Sequence, residues 1–301
     1  VKRVLVTGAS GFIGRETLGP LRAAGFEIHA LDRGGGGADG VTYHRCDLLA
    51  EDPAELVAAI AASHLLHLAW YAEPGRFWNA PENLDWVAAS LRLVRAFAGG
   101  GGRRAVIAGT CAEYDWSAPL LDEADTPLAP ATLYGEAKAS LFRILEKSAP
   151  ALGLSFAWGR IFFPYGPFER SGRLFGDLFD GIARGEPVAL SAGTQRRDFM
   201  HVEDVAAAFV ALLGSSVEGP VNIASGEALA VRDLVTRAAR IAGAEHLALF
   251  GARPMQPGEP PVMEAATRRL ALEVGFTPRH TPDSGLLDMF RRRRPDQEGS
   301  S

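Results

Sequence analysis

The opening residues VKRVLVTGASGFIG constrain this chain more than any other stretch: an apolar, β-branched run enters Gly8-x-x-Gly11-x-x-Gly14, and helix-like sequence follows. Glycines in that order permit a tight turn, let the backbone approach a pyrophosphate and allow close helix packing, while the helix N-terminus favours phosphate charge. Such a triplet alone is also common among turn glycines. Here it lies between a strand and a helix, and the second strand-like run ends at Asp32, near the spacing at which a carboxylate meets a ribose. The loop is read as a dinucleotide site formed by Gly8, Ser10, Gly11, Phe12, Ile13 and Gly14. Asp32 can accept hydrogen bonds from both ribose hydroxyls and repels a 2′-phosphate, which favours NAD. Arg33 leaves NADP open, since it can pair with a 2′-phosphate, stack on adenine or point to solvent.

The first half alternates short aliphatic runs with longer helical patterns, as repeated βαβ units do. Strands are expected at 3–7, 27–32, 41–46, 65–69, 104–109 and 154–162, with helices at 12–24, 53–61, 84–98 and 133–147. The implied fold is α/β, a doubly wound parallel Rossmann-like sheet with a smaller mixed α/β C-terminal lobe. Ligands of such sheets bind beyond the carboxyl ends of the strands, which directs attention to Asp47 and Leu48 after the third strand and Leu68 and Ala69 around the end of the fourth. Asp47 is placed to meet the adenine edge, although an aspartate there equally caps the next segment. After residue 162, Pro- and Gly-bearing loops break the alternation. The expected division is a dinucleotide-binding part at 1–162, to which 201–223 returns, and a substrate lobe at 163–200 and 224–301.

Composition excludes several alternatives. The chain of 301 residues carries 22% charged residues and a net charge of −5, which gives no general attraction for nucleic acid. Its one basic run, 291–294, adjoins the polar tail PDQEGSS and is expected to be a solvated helix end. No apolar run approaches the roughly 18 residues that cross a bilayer, so no membrane association and a cytoplasmic location are expected. Two cysteines, Cys46 and Cys111, show no CxxC pairing. His64 and His67 share one strand at an odd spacing, which sends them to opposite faces, and no metal site is expected.

Tyr134-Gly-Glu-Ala-Lys138 places a phenol and an ammonium about one helical turn apart on one face. A nearby positive charge stabilises a phenolate, so the pair suits proton exchange with a hydroxyl or carbonyl. The same spacing also arises by chance on amphipathic helices. With TGASGFIG, Asp32, Tyr134 and Lys138 together, the sequence resembles the extended short-chain dehydrogenase/reductases, and within them the nucleotide-sugar epimerase/dehydratase/reductase branch. GRIFFPYGP, RRDFMHVEDVA and EVGFTP carry the likeness along nearly the whole chain.

The resemblance implies a third catalytic residue, Thr110, four before Tyr114; its simpler reading is a turn cap. By the same resemblance Thr110 holds the substrate oxygen, Tyr134 exchanges the proton, and Lys138 holds the nicotinamide ribose while lowering the Tyr134 pKa. Arg197 matches a position that contacts the phosphates of a nucleotide sugar, and Arg253 is a second candidate. Either arginine also suits a surface ion pair. His201 and Asp204 are expected to be structural. Trp70, Tyr71, Trp78 and Trp86 are candidates for shaping a sugar pocket, against the default that large aromatics serve packing.

Departures narrow the expected chemistry. Cys111-Ala112 replaces the Asp-Glu pair of the branch's 4,6-dehydratases, Ala112 stands where a cysteine serves epimerisation at two carbons, and Phe163 and Trp86 replace substrate-contacting asparagines. The leading expectation is a reductase acting on the keto group of a nucleotide-linked 4-keto sugar. The alternatives are a nucleotide-sugar 4-epimerase with tightly held NAD, and a non-catalytic dinucleotide sensor. A homodimer is implied by resemblance alone.

Overall fold

The computed structural model of the chain describes residues 2–34 and 36–293. In chain order the strands are β1 (Lys2–Thr7), β2 (Phe26–Asp32), β3 (Val41–Arg45), β4 (His64–His67), β5 (Arg104–Thr110), β6 (Leu120–Leu121) and β7 (Ser155–Ile161). They continue with β8 (Phe163–Tyr165), β9 (Val188–Leu190), β10 (Arg196–His201), β11 (Gly219–Ile223), β12 (Ala228–Ala230), β13 (Ala248–Phe250) and β14 (Val262–Ala265). The helices are α1 (Gly14–Ala23), α2 (Ala54–Ile60), α3 (Glu82–Gly99), α4 (Leu133–Ser148), α5 (Leu174–Arg184), α6 (Val202–Gly214), α7 (Val231–Ile241) and α8 (Pro282–Arg293).

Seven strands form one parallel sheet in the order β11-β7-β5-β4-β1-β2-β3, so the α/β Rossmann-like expectation is borne out. Helices cover both faces, which explains why its central strands are apolar without alternation; every residue of β5 is buried. Leu18 and Leu21 of α1 and Val205, Phe209 and Leu212 of α6 fill one side. Val57 of α2, Leu93 and Phe97 of α3 and Leu141 and Phe142 of α4 fill the other. Fully burying each such side chain contributes roughly 1.5–3 kcal/mol.

Strand order reverses between β1 and β4, so the glycine loop after β1 and Leu68-Ala69 after β4 face each other across the switch point. Two glycines make that approach possible. Gly8 has φ +73°, and a Cβ there would lie 2.9 Å from the Ala69 nitrogen; one at Gly14 would overlap the Gly8 carbonyl oxygen. The remaining strands assemble a second sheet, in which β10 pairs with β8, β12 and β14, and a small β9–β13 pair. Helices α5, α7 and α8 pack there around Phe175, Leu178, Leu234 and Leu286.

The chain end departs from expectation. Arg291–Arg293 close α8, but Arg292 pairs with Glu16, Glu203 and Asp288, and Arg293 with Asp180. Arg294 and the tail lie outside the described residues. Arg292 and Arg293 thus clamp the last helix to α1, α5 and α6 rather than forming a solvated end. Among the described residues no helix is long and apolar enough to cross a membrane.

His64 packs edge-on against Phe26, while His67 points the other way, between Thr7 Oγ1 at 2.6 Å and Ser90 Oγ at 2.8 Å. Burial holds His67 neutral, with its pKa pushed from 6.5 down to about 3. Burial likewise lowers His201 to about 4. Both groups bind a proton more readily when unfolded, so their stabilisation is complete above pH 6.5 and is lost as pH falls toward those values. Each group should add a slope of up to about 1.4 kcal/mol per pH unit between pH 6 and 4.5. Urea unfolding across that range checks this, and His67→Gln should be less stable at pH 7.5 with a shallower acid slope.

Candidate active site

Thr110 ends β5, and its side chain accepts from Ala112 N at 3.2 Å to start a 3-10 turn at Cys111–Glu113. The turn-capping reading of Thr110 is therefore seen. The same side chain lies close enough to the Tyr134 phenol to act on its pKa, so capping does not take Thr110 away from Tyr134. Helix α4 begins behind Thr132, which caps Gly135 N at 3.2 Å. A Cβ at Gly135 would run into the Ala112 carbonyl oxygen, so only glycine lets α4 sit close enough to bring Tyr134 onto Thr110.

Lys138 follows one turn later and is buried. Its ammonium donates to Ala108 O at 2.7 Å and lies 3.6 Å from the centre of the Trp70 ring. Burial lowers its pKa to about 7, opposed by the charge of Glu113. For Tyr134 burial raises the phenol above its ordinary range, while the nearby Thr110 hydroxyl and the charge of Arg173 act against that rise. In this structure the Lys138 ammonium turns to Ala108 and Trp70.

Trp70 is fixed by Asn83 of α3, which accepts its indole N–H at 2.8 Å and donates to Phe77 O and Ala80 O. Trp86 stacks on Trp70 at 6.1 Å, and Phe77 and Trp78 meet the Tyr134 ring edge-on at 5.0 and 6.0 Å. The segment after β4 therefore walls the phenol with aromatic rings. Asn83 and Arg173 escaped the sequence reading. Arg173 stands at the N-terminal end of α5 with its guanidinium 6.0 Å from the Phe77 ring, and a cation brought in from a distant loop leaves no local signal.

Around the glycine loop, Ser10 Oγ donates to Asp32 at 2.7 Å and Gly34 N donates to the same carboxylate at 2.8 Å. Gly11 N bonds Gly8 O at 2.9 Å, and Phe12 and Ile13 lead into α1. These residues fit a dinucleotide: Gly8 and Gly14 keep side chains out of the cradle, and Asp32 stands at the tip of β2. Arg33 is exposed, Leu48 is buried, and Asp47 accepts from Leu49 N at 3.0 Å in a local turn.

Of the substrate candidates, Arg197 is buried, pairs with Glu259 at 2.7 Å and lies 5.6 Å from the Phe163 ring. Arg253 is exposed and borders a cleft with Asp177, Asp180, Arg184 and Glu186. Cys111 is buried, which pushes its thiol up to about 12 and leaves it unreactive. His201, Glu203 and His280 form the one group of metal-ligand type among the described residues. His280 and Arg292 already engage the Glu203 carboxylate.

A sequence model of the NAD dependent epimerase/dehydratase family matches residues 4–224. The chain belongs to that family. The expected likeness to extended short-chain dehydrogenase/reductases is borne out, and the protein is an enzyme of that type. A UDP-glucose 4-epimerase of Azospirillum brasilense is 28% identical over 95% of this chain and 90% of its own length. One from Streptomyces lividans is 26% identical over 92% and 91%. Among solved structures, MoeE5 in complex with UDP-glucuronic acid and NAD superposes with TM-score 0.84 at 28% identity, covering 97% of this chain and 99% of that one. The UDP-glucose 4-epimerase of Thermus thermophilus, in complex with NAD, gives 0.84 at 26% identity, over 98% and 99%.

Gly135→Ala should leave a folded family member whose turnover falls by about 10²-fold, because a displacement of roughly 1 Å at a reacting pair has that effect. Thermal melting beside steady-state rates would separate this from simple unfolding.

Proposed function

We propose that the protein performs NAD-dependent hydride transfer at C4 of a nucleotide-linked sugar, with Thr110, Tyr134 and Lys138 as catalytic residues. The observation that carries this reading is the Thr110 hydroxyl at the tip of β5 close against the Tyr134 phenol, one helical turn from Lys138, in the same sheet whose β1 runs into a glycine loop that fits a dinucleotide. Bound NAD supplies the hydride acceptor, held by the glycine loop, Asp32, Asp47, Leu48, Leu68, Ala69 and Lys138. Arg33 keeps NADP as the alternative cofactor, with the Asp32 carboxylate favouring NAD.

Thr110 donates a hydrogen bond to the sugar oxygen at C4. Tyr134 takes the hydroxyl proton when the sugar is oxidised and gives a proton to the keto oxygen when it is reduced. The aromatic wall of Trp70, Phe77 and Trp78 excludes water from the exchange, while Phe163 and Trp70 border the sugar. Arg197, already buried, binds the diphosphate by exchanging its bond to Glu259, and Arg253 supplies an outer contact.

The 4-keto-sugar reductase and the 4-epimerase share this half-reaction. The epimerase reading has specific support: UDP-glucose 4-epimerases recur among relatives that cover both chains almost end to end. Cofactor retention separates the two. An epimerase should copurify with NAD and interconvert UDP-glucose and its 4-epimer without added cofactor. A reductase should consume reduced cofactor stoichiometrically with a 4-keto sugar, followed at about 340 nm.

Tyr134→Phe should lower turnover by at least about 10³-fold while cofactor binding changes less than about twofold, measured by equilibrium dialysis. Retained turnover would remove Tyr134 from the mechanism. A homodimer through α3 and α4 completes the proposal, supported by exposed Leu84 and Ile144 on those packed helices.

A further inference from the structure

Glu113 is completely buried at the end of the 3-10 turn that follows Thr110. Its carboxylate accepts from Thr110 N at 2.8 Å, from the Trp158 indole N–H at 2.9 and 3.1 Å, and from Arg160 Nε at 2.8 Å. Arg160, also buried, donates onward to the Tyr114 hydroxyl at 3.0 Å, which donates to Asn222 Oδ1 at 2.8 Å. The anion faces the interior of β5 and β7 and stands three residues beyond Thr110. It is therefore neither of the acids that would follow the threonine directly in a sugar dehydratase.

This carboxylate is common to all three catalytic candidates. It holds Thr110 through the backbone, and its charge reaches both Tyr134 and Lys138. Lys138 is enclosed by Trp70 at 3.6 Å and Trp158 at 5.9 Å, and the Trp158 indole N–H is the one bound by Glu113. The ammonium meets two indole faces and one carbonyl oxygen, and its charge also reaches the neutral imidazole of His67, so a fixed negative charge behind the box matters more than it would in water.

We propose that Glu113 is a positioning residue of this site: it sets Thr110 against Tyr134 and supplies the buried counter-charge that keeps Lys138 an ammonium inside its aromatic box. The proposal rests on the catalytic assignment above, and its main test needs no substrate. The sequence holds only Lys2, Lys138 and Lys147, and the first and last are exposed. Lysine-labelled protein therefore gives three side-chain signals whose pH titrations can be followed by NMR.

In the wild type about half of Lys138 should be an ammonium near pH 7. In Glu113→Gln the Lys138 midpoint should move to lower pH, making the ammonium a minority at pH 7. That variant strands the Arg160 charge and can unfold. Glu113→Gln with Arg160→Gln removes both charges and should show the same downward shift, since Arg160 is not among the charges acting on Lys138. With any substrate the wild type turns over, kcat should fall at least tenfold in each folded variant. An unchanged Lys138 midpoint in the doubly substituted protein, or an unchanged kcat in either folded variant, overturns the proposal. A shift confined to the single variant also overturns it, because the stranded arginine is then the cause. A wild type that turns over no nucleotide sugar counts against the proposed function and leaves the NMR result to decide the role of Glu113.

Discussion

The close seating of α4 on the turn after β5 is the constraint from which the rest of the site follows. A helix and a strand end meet here with no room for a methyl group at Gly135, and that contact brings Tyr134 up to Thr110. The helix is held in place by a buried apolar face, with Leu141, Phe142 and Leu145 packed on Phe156 and Trp158. Its polar start is capped by Thr132. The core thus fixes the site by geometry, and the strand end supplies its chemistry. Such rigid elements hold reacting groups more accurately than loops do.

The polar interior beneath the site is unusual for its completeness. Glu113, Arg160, Tyr114, Trp158 and Asn222 satisfy one another and nearby carbonyls, and Asn222 also reaches Leu121 O at 2.9 Å. A buried ion pair of this kind contributes little net stability, since desolvation offsets the attraction. Its value is register. It ties β5, β7 and β11 to the short strand β6, so the edge of the main sheet and the second sheet share one set of bonds.

The sheet and glycine loop were legible because their signals are local: aliphatic runs, a fixed glycine spacing and a carboxylate at a strand tip. Tyr134 and Lys138 were legible by their one-turn spacing, and Thr110 through the resemblance to the short-chain dehydrogenase/reductases. Glu113 was not, because a glutamate three residues after a threonine reads as an ordinary capping partner, and its burial depends on Trp158 and Arg160 some 45 residues away. The turning of Lys138 onto Trp70 was equally hidden, since it joins a helix to the segment after β4. The arginine run at the chain end looked like a solvated terminus. Its partners, Glu16 and Glu203, are remote in sequence, and no composition rule can name them.

The pairing of Arg292 with Glu16 joins residues 276 positions apart, nearly the span of the described chain. Contacts of such separation close large loops and form late, after local pairings have already reduced the entropy to be lost. The face of α1 and α6 that receives Arg292 belongs to the dinucleotide-binding sheet, whose edge strand β11 ends at residue 223. During synthesis that sheet can assemble while its clamp is still unmade. Helix α8 can therefore act as a latch only after it has been made, some 276 residues beyond Glu16.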